Sequence, residues 1–194
     1  DKDIQQDRAR FRKNIERIGQ IAAYEISKKM ENDLHFTNTP LGIAKVNKMT
    51  EQPIIATILR AGLPLQRGLN DMFDQADLAY ISAYRKHTTD TEFEIVLEYV
   101  ATPDINDRIL IICDPMLATG QSLVKTYEAF VKKGKPSKVY LVSVIGSEQG
   151  VDYVTSTIPN ADLWIGVIDE TLDESGYIVP GLGDAGDLSF GEKL

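Results

Sequence analysis

The sequence predicts one α/β domain over residues 1–194, with a mostly parallel sheet flanked by helices. Three observations predict it. Short runs made almost wholly of apolar residues recur along the chain, as in strands buried on both faces. Segments with apolar residues three and four apart lie between several of those runs. Turn residues bound each run, and no repeat or composition shift marks a linker.

The elements follow in order. Phe11, Ile15, Ile18, Ala22, Ile26 and Met30 form an apolar stripe with charged residues between them, so a helix is expected over residues 4–30. It would be the main part of a helical N-terminal extension spanning residues 1–35. A polar connection around Asn38-Thr39-Pro40 comes next. Buried strands are expected at 54–59, 78–84, 109–113, 139–145 and 163–168, with Trp164 in the core. Leu123, Tyr127, Phe130 and Val131 make a helical stripe that Gly134 closes, at the place of a C-terminal cap. Residues 86–107 break the alternation. Phe93 to Val100 is extended and partly alternating, which predicts an inserted hairpin or flap.

Composition narrows the function classes. Hydrophobic residues make up 43% and charged residues 26%, ordinary globular usage that excludes disordered and collagen-like chains. Lys plus Arg number 21 against 29 Asp plus Glu, a net charge of −8. Such a surface repels a polyphosphate backbone at long range, so no nucleic-acid partner is expected. A local site for one small phosphorylated ligand remains compatible with it. Cys113 is the single cysteine, which excludes an internal disulfide and a cysteine zinc cluster. Lying inside an apolar run, it reads as an inert core residue. His35 and His87 have no histidine or cysteine partners, so no protein-built metal site is expected. No run approaches the ~18 apolar residues that span a bilayer, so no membrane is expected. The segment Asp1 to Arg8 lacks the apolar core of a secretory signal, and a cytoplasmic location is expected.

Four segments can carry chemistry. The first is Asp114-Pro115-Met116-Leu117-Ala118-Thr119-Gly120-Gln121-Ser122, where a buried strand ends in a carboxylate and a helix opens. Ligands of open α/β sheets bind at the carboxyl ends of strands. Backbone N–H groups of the Thr-Gly turn and of the helix N-terminus make a phosphate cradle, with Thr119 and Ser122 as hydroxyl donors. Asp114 cannot hold a phosphate and is expected to face sugar hydroxyls or a metal. The alternative is a plain strand-turn-helix connection capped by Ser122 or Thr119.

The second segment is Tyr177 to Asp187. Gly181, Gly183 and Gly186 match the spacing of the dinucleotide fingerprint, but that fingerprint needs a following helix and strand, and eight residues remain after Gly186. A Rossmann cofactor site is therefore rejected. A glycine-rich loop still lets backbone approach a flat ligand, with Asp184 held within it; a surface loop is the alternative. In the third, Leu59-Arg60-Ala61-Gly62-Leu63-Pro64, Arg60 follows a strand and Pro64 suits a first helical turn. In the fourth, Arg85-Lys86-His87 follows a strand directly. Arg60 and Arg85 are candidate anion contacts; solvated surface charge is the alternative.

These four segments, in this order, resemble the uracil phosphoribosyltransferase family. Residues 114–122 resemble its phosphoribosyl-pyrophosphate (PRPP) loop, with Gln121 where a second glycine is usual. Tyr177 to Asp187 resembles its uracil-binding segment, and Ile58 to Leu63 and Tyr84-Arg85 match its two arginine-bearing segments. Ile18-Gly19, Ala23-Tyr24-Glu25 and Thr39-Pro40-Leu41-Gly42 extend the similarity over nearly the whole chain. Departures are Pro64-Leu65-Gln66-Arg67 after Leu63, Lys86-His87 after Arg85, and Leu188-Ser189 where an arginine often follows Asp187.

The resemblance implies a type I phosphoribosyltransferase fold with a flexible flap (86–107) and a small C-terminal base-binding hood (170–194). It implies the reaction of uracil and PRPP to UMP and pyrophosphate in pyrimidine salvage, with Mg²⁺ as cofactor. It implies a catalytic set of Asp114, Asp184 and Arg85. PRPP would be held by Arg60, Arg85, Asp184 and residues 114–122, and uracil by Ile178, Gly183, Asp184 and Ala185. A GTP effector and a homodimer or higher homo-oligomer are further implications. Rival readings are a phosphoribosyltransferase for another nucleobase and a non-catalytic regulator that senses PRPP or UMP.

Overall fold

The computed structural model describes residues 7–87 and 93–193, without the side chains of 83–87 and 93–96. Helix α1 (Arg8–Ser27) opens the chain, with Asp7 accepting a hydrogen bond from the Arg10 N–H as its N-cap. It is shorter than the expected helical extension, because residues 32–35 belong to a strand. That strand, β1 (Asn32–Thr39), pairs antiparallel with β2 (Gly42–Met49) in a hairpin. The sequence predicts only a polar connection here. Neither strand buries a residue, so neither shows the apolar run of a core strand.

The central sheet follows: β3 (Ile54–Leu59), β4 (Asp77–His87), β5 (Phe93–Ala101), β6 (Ile109–Cys113), β7 (Met116–Leu117), β8 (Lys138–Ser147) and β9 (Ala161–Asp169). Hydrogen bonding runs β5-β4-β3-β6-β8, with β7 continuing the line of β6 beside β8, and with β9 also paired to β8. All pairs are parallel except β4–β5, where the expected hairpin adds an antiparallel edge strand; residues 88–92 of that segment lie outside the described residues.

Helices cover both faces: α2 (Leu63–Met72), α3 (Gln121–Val131) and α4 (Glu148–Thr157). Alternation along β3 explains its continuous apolar run. Ile54, Ala56 and Ile58 pack with Leu123, Val124, Phe130 and Val154 under α3 and α4. Ile55, on the other face, packs with Phe11, Ile15, Ile26, Leu65 and Leu69 under α1 and α2. Strand β9 differs from expectation. It is an edge strand, with Val167 and Ile168 exposed and Trp164 half-buried. Gly134 is no left-handed cap either. A Cβ there would meet Ile105 and Asn106, so the residue serves close packing of the loop.

The chain ends in a small hood over the carboxyl end of the sheet. It holds the two-residue strands β10 (Thr171–Leu172) and β11 (Ile178–Val179) and the short helix α5 (Ala185–Phe190). No helix among the described residues is long and apolar enough to cross a membrane.

Candidate active site

Strands β3 and β6 are parallel neighbours, with Thr57 opposite Cys113, so Arg60 and Asp114 both leave the sheet at its carboxyl end. Gly62 allows the turn after Arg60 to lie against β6. A Cβ at Gly62 would collide with the Thr57 hydroxyl and crowd the Cys113 carbonyl. The Asp114 N–H donates to the Val142 carbonyl (3.0 Å), and its carboxylate accepts from the Met116 N–H (3.3 Å). Both bonds hold the acid at the strand end. Cys113 itself is buried, and burial pushes its thiol up to about 12, so it remains a neutral core group.

Beyond Asp114 the loop turns over β8 and enters α3 through Gly120, whose φ of +77° favours glycine. No side chain caps α3. Neither Thr119 nor Ser122 acts as its N-cap; Thr119 Oγ1 accepts a long bond from the Gln121 N–H (3.5 Å). The helix therefore presents uncapped N–H groups, the donor set an anion needs.

In the hood, the Asp184 carboxylate caps α5 by accepting from the Asp187 N–H (2.9 Å). The Ala185 N–H points at Met116 Sδ, 3.4 Å away. Arg60 reaches across from the sheet: its Nη2 donates to Asp187 Oδ1 (2.8 Å) and to the Gly191 carbonyl (3.3 Å). This ion pair ties the strand end to the hood.

A cleft of about 420 Å³ lies between these parts. Arg60, Asp114, Met116, Ala118, Ser122, Asp184 and Ala185 all line it, so the structure brings together residues from three of the four sequence segments. Pro115, Leu117 and Gly120 are buried and shape the loop from within. Ile178 is buried at 3% exposure, leaving only its main chain to serve a ligand. Gly183 lines an adjoining cavity with Arg8, Leu188 and Glu192, while Asp184 lines both. Arg85 lies in β4 opposite Ile95, and its side chain is outside the described residues.

Seven lining residues lie outside the predicted site set: Ile58, Leu59, Ala61, Tyr177 and Gly186, which belong to the quoted segments, and Gly176 and Lys193, which do not. Tyr177 stood within a quoted segment and could have been found as its one aromatic. Lys193 carried no pattern of its own. Among the described residues no three His, Cys, Asp or Glu side chains cluster as metal ligands. The cleft's two carboxylates, Asp114 and Asp184, fit a cation that arrives with oxygen ligands from its substrate.

Comparison with known proteins agrees with this geometry. Residues 2–192 match the family model described as uracil phosphoribosyltransferase. A uracil phosphoribosyltransferase of Porphyromonas gingivalis is 52% identical over 98% of this chain and 89% of its own length. The chain belongs to the uracil phosphoribosyltransferase family. Another relative of that name, from Methanococcus maripaludis, is 40% identical over 94% of this chain and 79% of its own. The AQ2163 protein of Aquifex aeolicus, a solved structure, superposes with a TM-score of 0.87 at 30% identity, covering 96% of this chain and 89% of that one. A hypoxanthine phosphoribosyltransferase of Staphylococcus aureus has a TM-score of 0.54 at 13% identity over 83% of this chain and 76% of its own, a likeness of fold alone. The uracil phosphoribosyltransferase family thus uses here a type I phosphoribosyltransferase fold, with its cleft at the carboxyl ends of β3 and β6.

Proposed function

We propose that this cleft transfers the phosphoribosyl group of PRPP to uracil, giving UMP and pyrophosphate in pyrimidine salvage. The observation that carries the reading is the meeting of Arg60, Asp114, the 118–122 turn and Asp184-Ala185 on one cleft. Each part matches one demand of the reaction. Breaking the anomeric bond leaves positive charge on the sugar, as in glycosyl transfer generally. Asp114, which lines the cleft, is assigned to hold ribose hydroxyls and to favour that charge. The uncapped N-terminus of α3 and the Ser122 hydroxyl take the 5′-phosphate. Arg60 takes the pyrophosphate as a fork of charge-assisted donors, and Arg85 is assigned to the same group.

Uracil presents acceptors and donors along one edge. The Ala185 N–H, which meets only a weak thioether acceptor here, is free to exchange it for a uracil oxygen. Asp184, its neighbour on the cleft wall, is assigned to the reacting end of the base. Main-chain groups of Ile178 and Gly183 complete the proposed uracil cradle, although Gly183 lines the adjoining cavity. Closure of the 86–107 hairpin over the cleft would exclude water and limit hydrolysis. Held in this way, two reactants gain roughly 7–11 kcal/mol from positioning.

Mg²⁺ is the proposed cofactor; Asp114 and Asp184 are the residues that would hold its waters, and it would supply charge neutralisation to the leaving group. A homodimer is proposed as well. Its support is apolar surface that the single chain leaves open: Leu34, Phe36 and Ile43 on the β1–β2 hairpin and Val167 on β9. An isolated two-stranded hairpin is marginal in water, so a second copy over it adds stability. GTP as an effector rests on the family resemblance. A reducing, cytoplasmic compartment suits the free thiol of Cys113. The test of the whole reading is UMP formation from uracil and PRPP with and without Mg²⁺, beside hypoxanthine, adenine and orotate. Product with another base and none with uracil overturns it.

A further inference from the structure

We infer that Ser147, outside the cleft, is a positioning residue that sets the affinity of the 114–122 loop for the 5′-phosphate. The inference rests on the phosphate role proposed above for that loop. Ser147 is fully buried at the end of β8, and its hydroxyl lies between two partners. Oγ accepts from the Gly150 N–H (2.9 Å), as the N-cap of α4. It also lies 2.6 Å from the Ala118 carbonyl. A carbonyl can only accept, so the hydroxyl proton points at Ala118.

That bond fixes a peptide plane. The Ala118 carbonyl and the Thr119 N–H belong to one trans peptide unit and point in opposite directions. With the carbonyl held inward by Ser147, the Thr119 N–H is aimed the opposite way, away from the buried Ser147 hydroxyl, in the loop whose Ala118 and Ser122 line the cleft. It makes no backbone–backbone turn or loop hydrogen bond among the described residues. A donor so aimed next to an uncapped helix N-terminus is what a phosphate oxygen requires.

Packing reinforces the geometry. Gly150 leaves no room for a side chain, since a Cβ there would collide with the Ala118 carbonyl. Helix α4 therefore sits directly against the loop, and Gly120 in turn faces Val154 and Tyr153 of α4. Without the Ser147 hydroxyl the Ala118 carbonyl loses its interior partner. The peptide is then free to rotate toward water, which turns the Thr119 N–H away from the ligand.

The experiment compares wild type, Ser147→Ala and Ser147→Thr by calorimetric titration with ribose 5-phosphate, UMP, PRPP and pyrophosphate. Wild-type binding of ribose 5-phosphate establishes the phosphate site; its absence overturns the loop assignment, and this inference with it. Given that binding, Ser147→Ala is expected to weaken ribose 5-phosphate, UMP and PRPP together by about tenfold. Pyrophosphate is unaffected, KM for PRPP rises, and kcat stays within about twofold. Ser147→Thr, which keeps the hydroxyl, restores the affinities. A folded Ser147→Ala variant with wild-type affinities refutes the inference, as does equal loss for pyrophosphate, which marks general damage. Should the alanine variant fail to fold, Ser147→Cys decides. Its weaker donor gives a smaller loss confined to the three 5′-phosphate ligands, and no loss refutes the inference.

Discussion

Arg60 is paired with Asp187, and that pairing fixes what Asp187 does to substrate affinity. Arg60 Nη2 and Asp187 Oδ1 are 2.8 Å apart, with side chains 37% and 32% exposed. Pairs that wet contribute roughly 0.2–1 kcal/mol. On the proposed assignment pyrophosphate competes with Asp187 for the guanidinium, so the pair would lower PRPP affinity by at most about fivefold. The charge-assisted bonds that replace it are worth roughly 1.5–3 kcal/mol. Net of the displaced pair this leaves about 0.5–2.8 kcal/mol, so Arg60→Ala is expected to weaken PRPP and pyrophosphate by about twofold to a hundredfold, while UMP, which lacks that group, is weakened less. Asp187→Asn is expected to leave PRPP affinity unchanged or to raise it, up to about fivefold. Titration of both variants with the three ligands is the assay. Equal loss of UMP and PRPP in Arg60→Ala refutes the leaving-group assignment. A tenfold loss of PRPP in Asp187→Asn refutes the competition, because the arginine would then need its carboxylate partner while bound.

Two further outcomes follow from the same geometry. Asp114→Asn keeps an oxygen for the Met116 N–H but removes the charge proposed to face the ribose, so kcat is expected to fall by at least about tenfold, ~1.4 kcal/mol, with the melting temperature little changed; wild-type kinetics would remove Asp114 from the site. The Cys113 thiol, ordinarily at 9.0, is raised to about 12, so above pH 9 the unfolded chain releases a proton that the folded chain keeps. Stability then falls as pH rises, by about 1.4 kcal/mol per unit from that group; in urea unfolding, the advantage of wild type over Cys113→Ala should shrink by about 2 kcal/mol between pH 8 and 10.5, and a constant advantage contradicts the shift.

Strands buried on both faces were legible because burial alone dictates their composition. Residues 54–59 and 109–113 were read to the residue, each face meeting its own helix layer. The β1–β2 hairpin was invisible for the converse reason: with no buried face, its residues are not selected for a strand pattern. Strand β9 misled in the other direction. Leu163 to Ile168 is as apolar as a core strand, yet it lies at the sheet edge with Val167 and Ile168 in the open. An apolar run reports that surface is to be covered, and the covering partner can lie outside the single chain.

The site divides along the same line between local and distant causes. Asp114 and Arg60 were legible because each follows an apolar run directly, and parallel pairing of those runs brings them together. The Arg60–Asp187 pair spans 127 residues, and no local pattern encodes it. The three glycines of the hood show why spacing alone was a poor guide. Gly181 has φ +55°, and a Cβ there would collide with the Ile178 carbonyl. Gly183 has φ +89° but open space around it, so only its backbone conformation requires glycine. Gly186 has no positive φ; a Cβ there would lie 3.0 Å from Asp184 Oδ1 and 3.8 Å from Arg60 Nη2, at the wall of the cleft. The dinucleotide spacing thus arises from a crowded turn, a left-handed residue and a close approach to charged groups. None of these demands a nucleotide, and only the third borders the cleft.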